Sequence, residues 1–212
     1  MPADTLSAFE PRKTPVQARS AVTVEAISEA TIQVLLSHGG DRLTTTLVAE
    51  RAGVSVGTLY QYYPNKEALL FAVLEAAMNR MTVSVETGCE QARHKPLAEM
   101  VKDVVEAFVD AKMARPDISA ALYQISANVG GPALVKKALQ RQRKAVDAML
   151  QTAPDTEATP DKFTIDIMFA AMAGAMRSVL EAGATPALVR KLREQLVLLC
   201  QSYMAAATGH HS

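Results

Sequence analysis

Apolar residues recur every three or four positions along most of the chain, and this spacing gives a helix one apolar face. Near the N-terminus, for example, Ile27, Ala30 and Val34 follow it. No segment alternates apolar and polar residues in the way that a half-buried β-strand does. Helix-forming residues such as Ala, Leu, Met, Glu and Gln are frequent throughout. The sequence therefore predicts an all-α fold.

Glycine and proline residues divide this helical pattern into segments. The clearest breaks lie at 38–40, 53, 128–132 and 154–160. We predict a flexible N-terminal arm over 1–19, a three-helix helix-turn-helix domain over 20–66, a larger helical domain over 67–206 and a tail over 207–212.

Bulk composition favours neither a nucleic-acid binder nor a membrane protein. Lys and Arg number 22 and Asp and Glu number 22, so the formal net charge is +0 and the basic excess of many nucleic-acid-binding proteins is absent. No run of about 18 consecutive apolar residues occurs, and the first residues lack the apolar core of a signal peptide. We expect a cytoplasmic protein without a membrane partner.

The sequence contains no recognisable catalytic or cofactor-binding motif. A Gly-rich phosphate loop, a CxxC pair and an HExxH motif are all missing. The terminal pair His210 and His211 accompanies no nucleophile or carboxylate, and adjacent side chains at a frayed end preorganise no metal site. Cys89 and Cys200 lack metal-ligand spacing and are expected to be buried, reduced thiols. We expect no enzyme activity, no metal and no cofactor.

Residues 44–63 have the pattern of a helix-turn-helix, in which two short helices flank one glycine. The first helix must pass close to the second, and Ala49 provides the small side chain that this requires. Gly53 permits the left-handed backbone of the turn. Val54 is expected to fill the angle between the helices, and Leu59 to anchor the second helix in the core.

The second of these helices is expected to present its outward side to DNA. Gln61 can pair with adenine, and Gly57 lets the start of the helix approach the groove closely. Thr45 and Ser55 are expected to cap the two helices. Tyr60, Tyr62 and Lys66 are expected to contact phosphates. The full set of predicted DNA-binding residues is Thr45, Thr46, Ser55, Val56, Gly57, Thr58, Tyr60, Gln61, Tyr62 and Lys66.

Residues 20–66 resemble the N-terminal domain of the TetR family of regulators. The resemblance rests on Ala-Gly-Val-Ser at 52–55, Gly-Thr-Leu-Tyr at 57–60 and Tyr-Tyr-Pro-Asn-Lys-Glu-Ala-Leu at 62–69. So long a run in order, at the right distance from the N-terminus, is a specific signal. It implies a homodimer that binds a palindromic operator, usually as a repressor that a small molecule releases.

Two positions depart from the family pattern. Tyr63 stands where the family usually has Phe, so its hydroxyl group needs a hydrogen-bond partner or solvent. Val56 stands where a basic residue often precedes the motif glycine, which removes one phosphate contact. At least one of the clustered tyrosines should face outward, because a helix cannot bury side chains on every side.

The C-terminal part resembles the family only in size and helical organisation, so its ligand site must be inferred from residue types. The candidate residues are Phe108, Met113, Tyr123, Met149, Met168, Met172, Met176 and Arg177. For the methionines and aromatic residues we favour the simpler interpretation that they fill an ordinary core. Arg177 could bind an anionic ligand, but an ion pair with Glu181 one helical turn later is the explanation that we favour.

The last two predicted helices, over 163–180 and 186–206, have wide apolar stripes. Small residues such as Gly174 and Ser178 recur along the first of them and permit close helix contact. We predict that these helices pair with their copies in a second subunit as a four-helix bundle with twofold symmetry.

The sequence thus favours a DNA-binding transcriptional regulator that responds to a small-molecule effector. A helical ligand-binding protein with vestigial DNA binding and an enzyme with a dispersed active site are the alternatives. A ligand-binding protein with vestigial DNA binding would be expected to have a disrupted second motif helix, but residues 55–66 keep the motif without interruption.

Overall fold

The computed structural model describes residues 18–156 and 158–209 and is helical, with no β-strand in these ranges. The all-α prediction is therefore confirmed. The helices are α1 (Ala18–Arg42), α2 (Thr45–Ala52), α3 (Val56–Tyr62), α4 (Lys66–Ala92), α5 (Leu97–Met113), α6 (Pro116–Ile125), α7 (Gly131–Leu150), α8 (Lys162–Glu181) and α9 (Pro186–Ala207), with a 3₁₀ turn over Ser126–Asn128. The predicted N-terminal arm, apart from its last two residues, and His210 and His211 lie outside the described residues.

The chain divides into two compact units. Among the described residues, the first unit contains Ala18 to Ala77 together with Ala121–Leu134, and the second contains Met78–Ala120 and those from Val135 to Gly209. Each unit has its own buried apolar side chains. The sequence pattern did not predict that Ala121–Leu134 would cluster with the N-terminal helices.

Local signals in the sequence determine where the helices of the first unit begin and end. Gly39 interrupts α1 with φ 77°, where the sequence predicted a glycine stop, although one further helical turn carries α1 to Arg42. Asn65 caps α4, because its Oδ1 accepts a hydrogen bond from the amide of Ala68 at 2.8 Å. Gly40 leaves room for α6, since a Cβ there would lie 2.7 Å from the Ile125 side chain.

The second unit is held together by an apolar interior and by ion pairs at its edges. Met172, Met176 and Met204 are each 0% exposed in that interior. Ion pairs join α7 to α4, α7 to α8 and α9 to α5. They are Arg141 with Glu86, Arg143 with Asp166, and Arg193 with Asp110. Gly88 permits a close crossing of α4 and α5, because a Cβ there would lie 2.9 Å from the Cβ of Ala107.

Two helices are long and apolar enough to cross a membrane when judged by length and composition alone. They are α4 and α8, each with a mean hydropathy of 1.4 over the relevant window. Core helices of soluble proteins have the same character. Of these windows, 50% of the first and 39% of the second are buried within the fold. This is weak evidence for a membrane span.

Candidate nucleic-acid interface and helical interior

The turn between α2 and α3 has the geometry that the sequence predicted. Gly53 adopts the left-handed conformation with φ 68° and ψ 28°. The amides of Gly53 and Val54 donate hydrogen bonds to the carbonyls of Glu50 and Ala49 at 3.2 and 3.0 Å. Ala49 and Leu59 are each 0% exposed, so the two helices pack closely on both sides of the turn.

The caps of the two helices include one correction. The cap of α2 is Thr44, not Thr45, because the Thr44 hydroxyl oxygen accepts a hydrogen bond from an amide of the first turn at 3.2 Å. The Thr45 hydroxyl instead lies 3.1 Å from the hydroxyl of Tyr60. The predicted cap at Ser55 is confirmed, since its Oγ accepts from the amide of Thr58 at 2.9 Å. Thr45 and Tyr60 therefore form a pair of hydroxyl groups that joins α2 to α3.

The outward side of α3 carries small and polar groups. Gly57 and Gln61 are exposed, and Tyr60 is 42% exposed, while Val56 and Tyr62 are partly exposed. A Cβ on Gly57 would meet only the Ser55 Oγ, at 3.7 Å. Packing within the chain therefore does not require glycine at this position.

The remaining predicted DNA-binding residues lie at the edges of this surface. Thr46 is exposed at the start of α2. The Lys66 ammonium group donates to the carbonyl oxygen of Asp41 at 3.4 Å, at the end of α1. Lys66 therefore also contacts the protein backbone. Because this hydrogen bond is long and exposed to solvent, the positive charge of Lys66 remains at the protein surface.

The tyrosines of this region divide as expected. Tyr63 is 4% exposed, and burial raises the pKa of its hydroxyl group. Tyr60 remains exposed at 42%. The prediction that at least one of the clustered tyrosines faces outward is confirmed.

The predicted ligand-binding residues do not share one environment. Most are buried in the second unit: Phe108, Met149, Met168, Met172 and Met176. Met113 is half-buried in the same unit, whereas Tyr123 belongs to the first unit. Arg177 is exposed and donates to the Glu181 carboxylate at 2.7 Å, so the ion pair predicted as the structural explanation is present.

Sequence reasoning missed two polar residues in the interior of the second unit. Gln142 is 3% exposed and Thr82 is 1% exposed, and the Gln142 amide donates to the Thr82 hydroxyl oxygen at 3.3 Å. A spacing signal existed, because Gln142 lies four and seven residues before Val146 and Met149 on the apolar stripe of α7. Because polar residues in a helical pattern are usually exposed, this spacing did not lead us to predict that Gln142 is buried.

Lys112 is a further polar residue with an altered environment, near the end of α5. It lies four residues after Phe108, on the buried side of the helix, and is half-buried. Burial lowers the pKa of its ammonium group to about 8.

Two family models match the chain. Residues 96–204 match the tetracyclin repressor-like C-terminal domain, and residues 27–73 match the bacterial regulatory proteins of the tetR family. The chain belongs to the TetR family. Regulators of this family are non-enzymatic transcription factors that bind DNA, and they typically dimerise and bind small-molecule effectors.

Individual relatives agree with this assignment. The transcriptional repressor KstR of Rhodococcus jostii is 28% identical over 140 residues, which is 66% of this chain and 63% of that protein. Curated relatives such as this one are matched over only 29 to 63% of their own length.

Solved TetR-family structures cover more of the chain. A regulator from Mesorhizobium loti superposes with a TM-score of 0.72 at 16% identity, over 90% of this chain and 98% of that one. The fatty acid degradation regulator FadR of Bacillus halodurans gives a TM-score of 0.67 at 19% identity, over 87% and 96%. At sequence identities of 16% and 19%, these superpositions show a shared fold and nothing further.

Proposed function

We propose that this chain is a sequence-specific DNA-binding transcriptional repressor in which α3 enters the major groove. The observation that carries the proposal is the intact motif of α2, Gly53 and α3, with Gly57 and Gln61 exposed on its outer side. Gly57 has no positive φ, so its backbone conformation does not require glycine. Internal packing does not require it either, whereas close approach to DNA would.

The proposed contacts divide into base-reading and phosphate-binding groups. Gln61 reads one base edge, and the methyl groups of Thr58 and Val56 contact thymine. The hydroxyl pair of Thr45 and Tyr60 binds one phosphate. The other proposed phosphate contacts are Thr46, Ser55, Tyr62 and Lys66.

A homodimer formed through α8 and α9 is part of the proposal. Large apolar side chains are exposed on both helices of the single chain: Phe163 at 69%, Ile167 at 40%, Leu198 at 59% and Leu199 at 51%. Gly174 lies on the same exposed side of α8 as Ile167, and a Cβ there would meet nothing within 4 Å. A second helix crossing at Gly174 would explain the glycine and would cover the apolar side chains.

Repression with release by a small effector completes the proposal. The relatives named as repressors support repression rather than activation. The second unit is the proposed effector site, with the buried residues Phe108, Met149, Met168, Met172 and Met176 as its apolar part. Such a regulator would work in the cytoplasm, where the DNA is.

Selection of tight binders from a pool of random duplex DNA tests this function. We expect enrichment of a palindrome whose half-sites lie about one helical turn apart, because a symmetric dimer presents two copies of α3. Weak binding without sequence preference would contradict the proposal. It would favour a ligand-binding protein with vestigial DNA binding.

A further inference from the structure

We propose that Gln142, held in place by Thr82, recognises a neutral hydrogen-bond donor on an otherwise apolar effector. The inference rests on the effector site of the proposed function, and it names the chemical class of the effector. Both residues belong to the second unit, Thr82 on α4 and Gln142 on α7. They are the only buried polar residues among the described residues of that unit besides Thr208 near the C-terminus.

Gln142 donates a hydrogen bond to Thr82, and Thr82 in turn donates one to the backbone. The Thr82 hydroxyl donates to the carbonyl oxygen of Met78 on its own helix at 2.9 Å. Its oxygen accepts from the Gln142 amide nitrogen, Nε2, at 3.3 Å. The hydroxyl proton of Thr82 is therefore committed to the backbone, and the Gln142 carboxamide receives nothing from it.

The Gln142 carboxamide keeps hydrogen-bonding capacity that the fold does not use. A glutamine side chain offers two N–H donors and a carbonyl oxygen with two lone pairs. The bond to Thr82 is its single hydrogen bond among the described residues, so the carbonyl oxygen, Oε1, has no protein donor.

This free oxygen also indicates accessible space. Within the described residues, no side-chain nitrogen or oxygen that is sealed from solvent lacks a hydrogen-bond partner. The free Oε1 of Gln142 can therefore be reached by a water-sized group, although the residue as a whole is only 3% exposed. An almost fully buried carboxamide with an accessible and unused acceptor has the properties of a recognition group.

The buried residues of the second unit favour a neutral partner for this carboxamide. No charged side chain is among the fully buried residues that the structure describes there, and Lys112, which is half-buried on α5, has the pKa of its ammonium group lowered by burial. The nearest charges along α7, on Arg141 and Arg143, are already held by bidentate contacts to Glu86 and Asp166. An ionised group beside Gln142 would lose its hydration without gaining a counter-charge.

The rest of the effector must be apolar. Met149 lies two turns after Gln142 on the same side of α7, and it is 1% exposed. Met172 and Met176 on α8 are each 0% exposed. Methionine side chains are flexible and polarisable, so a methionine-rich interior can rearrange around an apolar ligand. A hydroxyl or carboxamide on an apolar body fits this combination, because each carries a neutral donor for the Gln142 oxygen.

Two matched series of small probes test the inference on the full-length protein. One is decanol, decanamide and decanoate, and the other is naphthol, naphthamide and naphthoate. Binding is measured at neutral pH, without DNA, by calorimetry and by the shift in melting temperature followed by circular dichroism. We expect the neutral members of at least one series to bind at least tenfold more tightly than the ionised acid.

Substitutions identify the recognising group. Gln142→Met keeps the length of the side chain but removes the carboxamide, and it should weaken binding of the neutral probes about tenfold. Without probe, its melting temperature should equal or exceed that of the wild type. Thr82→Val should weaken the same probes by a smaller factor. Gln140→Met is the matched control, because Gln140 is exposed on the same helix, and it should change nothing.

Three outcomes would overturn the inference. They are binding of no probe, equal or preferential binding of the ionised acids, and a lower melting temperature for Gln142→Met with unchanged probe binding. Preferential binding of the acids would place recognition at a cation such as Lys112. A protein that selects an operator but fails these tests would refute only this inference. One that passes them without selecting an operator would refute only the regulatory function.

Discussion

Helices α3 and α8 both present an outward side in the single chain, and the two sides have opposite chemistry. The side of α3 is small and polar, with Gly57 and Gln61 exposed. The side of α8 is apolar, with Phe163 69% exposed and Ile167 40% exposed. The surface of α3 suits the polar edges of bases, whereas the surface of α8 suits another apolar helix.

The two surfaces also differ in how the fold supports them. The α3 surface depends on a turn and caps that lie within about twenty residues, so local sequence determines it. The apolar surface of α8 and α9 depends on packing between helices that are distant in sequence, such as α9 and α5, which the ion pair of Arg193 and Asp110 joins across 83 residues. Substitutions should therefore separate DNA reading from dimerisation.

Ala49→Leu should have the largest effect on the α3 surface. Ala49 is 0% exposed where α2 passes α3, so a larger side chain must push the helices apart, at a cost of about 1–3 kcal/mol or more. We expect loss of measurable operator binding and a lower melting temperature. Glu50→Ala, at an exposed neighbour, is the control and should retain both. Unchanged operator binding by Ala49→Leu would mean that α2 and α3 do not act as one unit.

Gly174→Leu should have the next largest effect, on the α8 surface alone. A Cβ at this position meets nothing within 4 Å of the single chain, so the variant should fold, but its side chain would obstruct a second subunit. Sedimentation at micromolar concentration should report monomer for this variant and dimer for the wild type. Gln140→Leu, at an exposed position of α7, should remain dimeric. A dimeric Gly174→Leu protein would contradict the proposed interface.

Gln61→Ala and Lys66→Ala test the division of the proposed DNA contacts into base-reading and phosphate-binding residues. Loss of one base contact should cost about 1–3 kcal/mol at a single base pair and relax specificity there. Lys66→Ala should instead weaken all sequences alike and reduce the salt dependence of binding. Competition assays against single-base operator variants at several salt concentrations measure both. Identical profiles for the two variants would refute this division.

The buried thiols of the second unit predict a pH dependence of stability. Burial raises the pKa of Cys89 to about 12 and that of Cys200 to about 11, above the ordinary thiol value of 9.0. Because the folded protein holds these protons more tightly than the unfolded chain, their stabilisation is fully present below pH 9.0 and is lost at higher pH.

The expected loss is about 1 kcal/mol per thiol between about pH 9 and pH 10. Denaturant unfolding over this range measures it, with Cys89→Ala and Cys200→Ala as comparisons that should each have a flatter profile. A variant with the same pH slope as the wild type would show that its thiol does not titrate on unfolding.

Substitutions of Thr44 and Thr45 should have the smallest effects and should differ in kind. Thr44→Ala removes the cap of α2 and should lower stability by about 0.5–1 kcal/mol. Thr45→Ala leaves the cap intact and should weaken DNA binding through loss of the hydroxyl pair with Tyr60. Thermal unfolding and operator titration of both variants test this assignment. A larger loss of stability for Thr45→Ala than for Thr44→Ala would show that Thr45 is the residue that caps α2.

The sequence predicted the features that depend on neighbouring residues. The helical class, the turn at Gly53 and the cap at Ser55 follow from local backbone chemistry, and the structure contains each of them. The cap of α2 was misassigned by one residue, because consecutive threonines at 44–46 offer equivalent hydroxyl groups. Only the backbone distinguishes Thr44, whose extended conformation directs its oxygen toward the helix start.

The features that depend on distant residues were not predicted. Nothing in the local pattern indicated that Tyr123 would cluster with the first unit rather than with the methionines of the second. Gln142 lies on the apolar stripe of α7, but nothing along α7 indicated that its carboxamide would meet Thr82 on α4. The proposed effector site therefore needed the three-dimensional structure.

Comparison of a selected operator with a scrambled duplex of the same composition tests the central claim most directly. Affinities are measured by fluorescence anisotropy across a series of salt concentrations. The account predicts that the selected duplex binds at least about a thousandfold more tightly, with two chains for each palindrome, and that this ratio persists as salt rises. Equal affinities for the two duplexes that fall together with salt would contradict it.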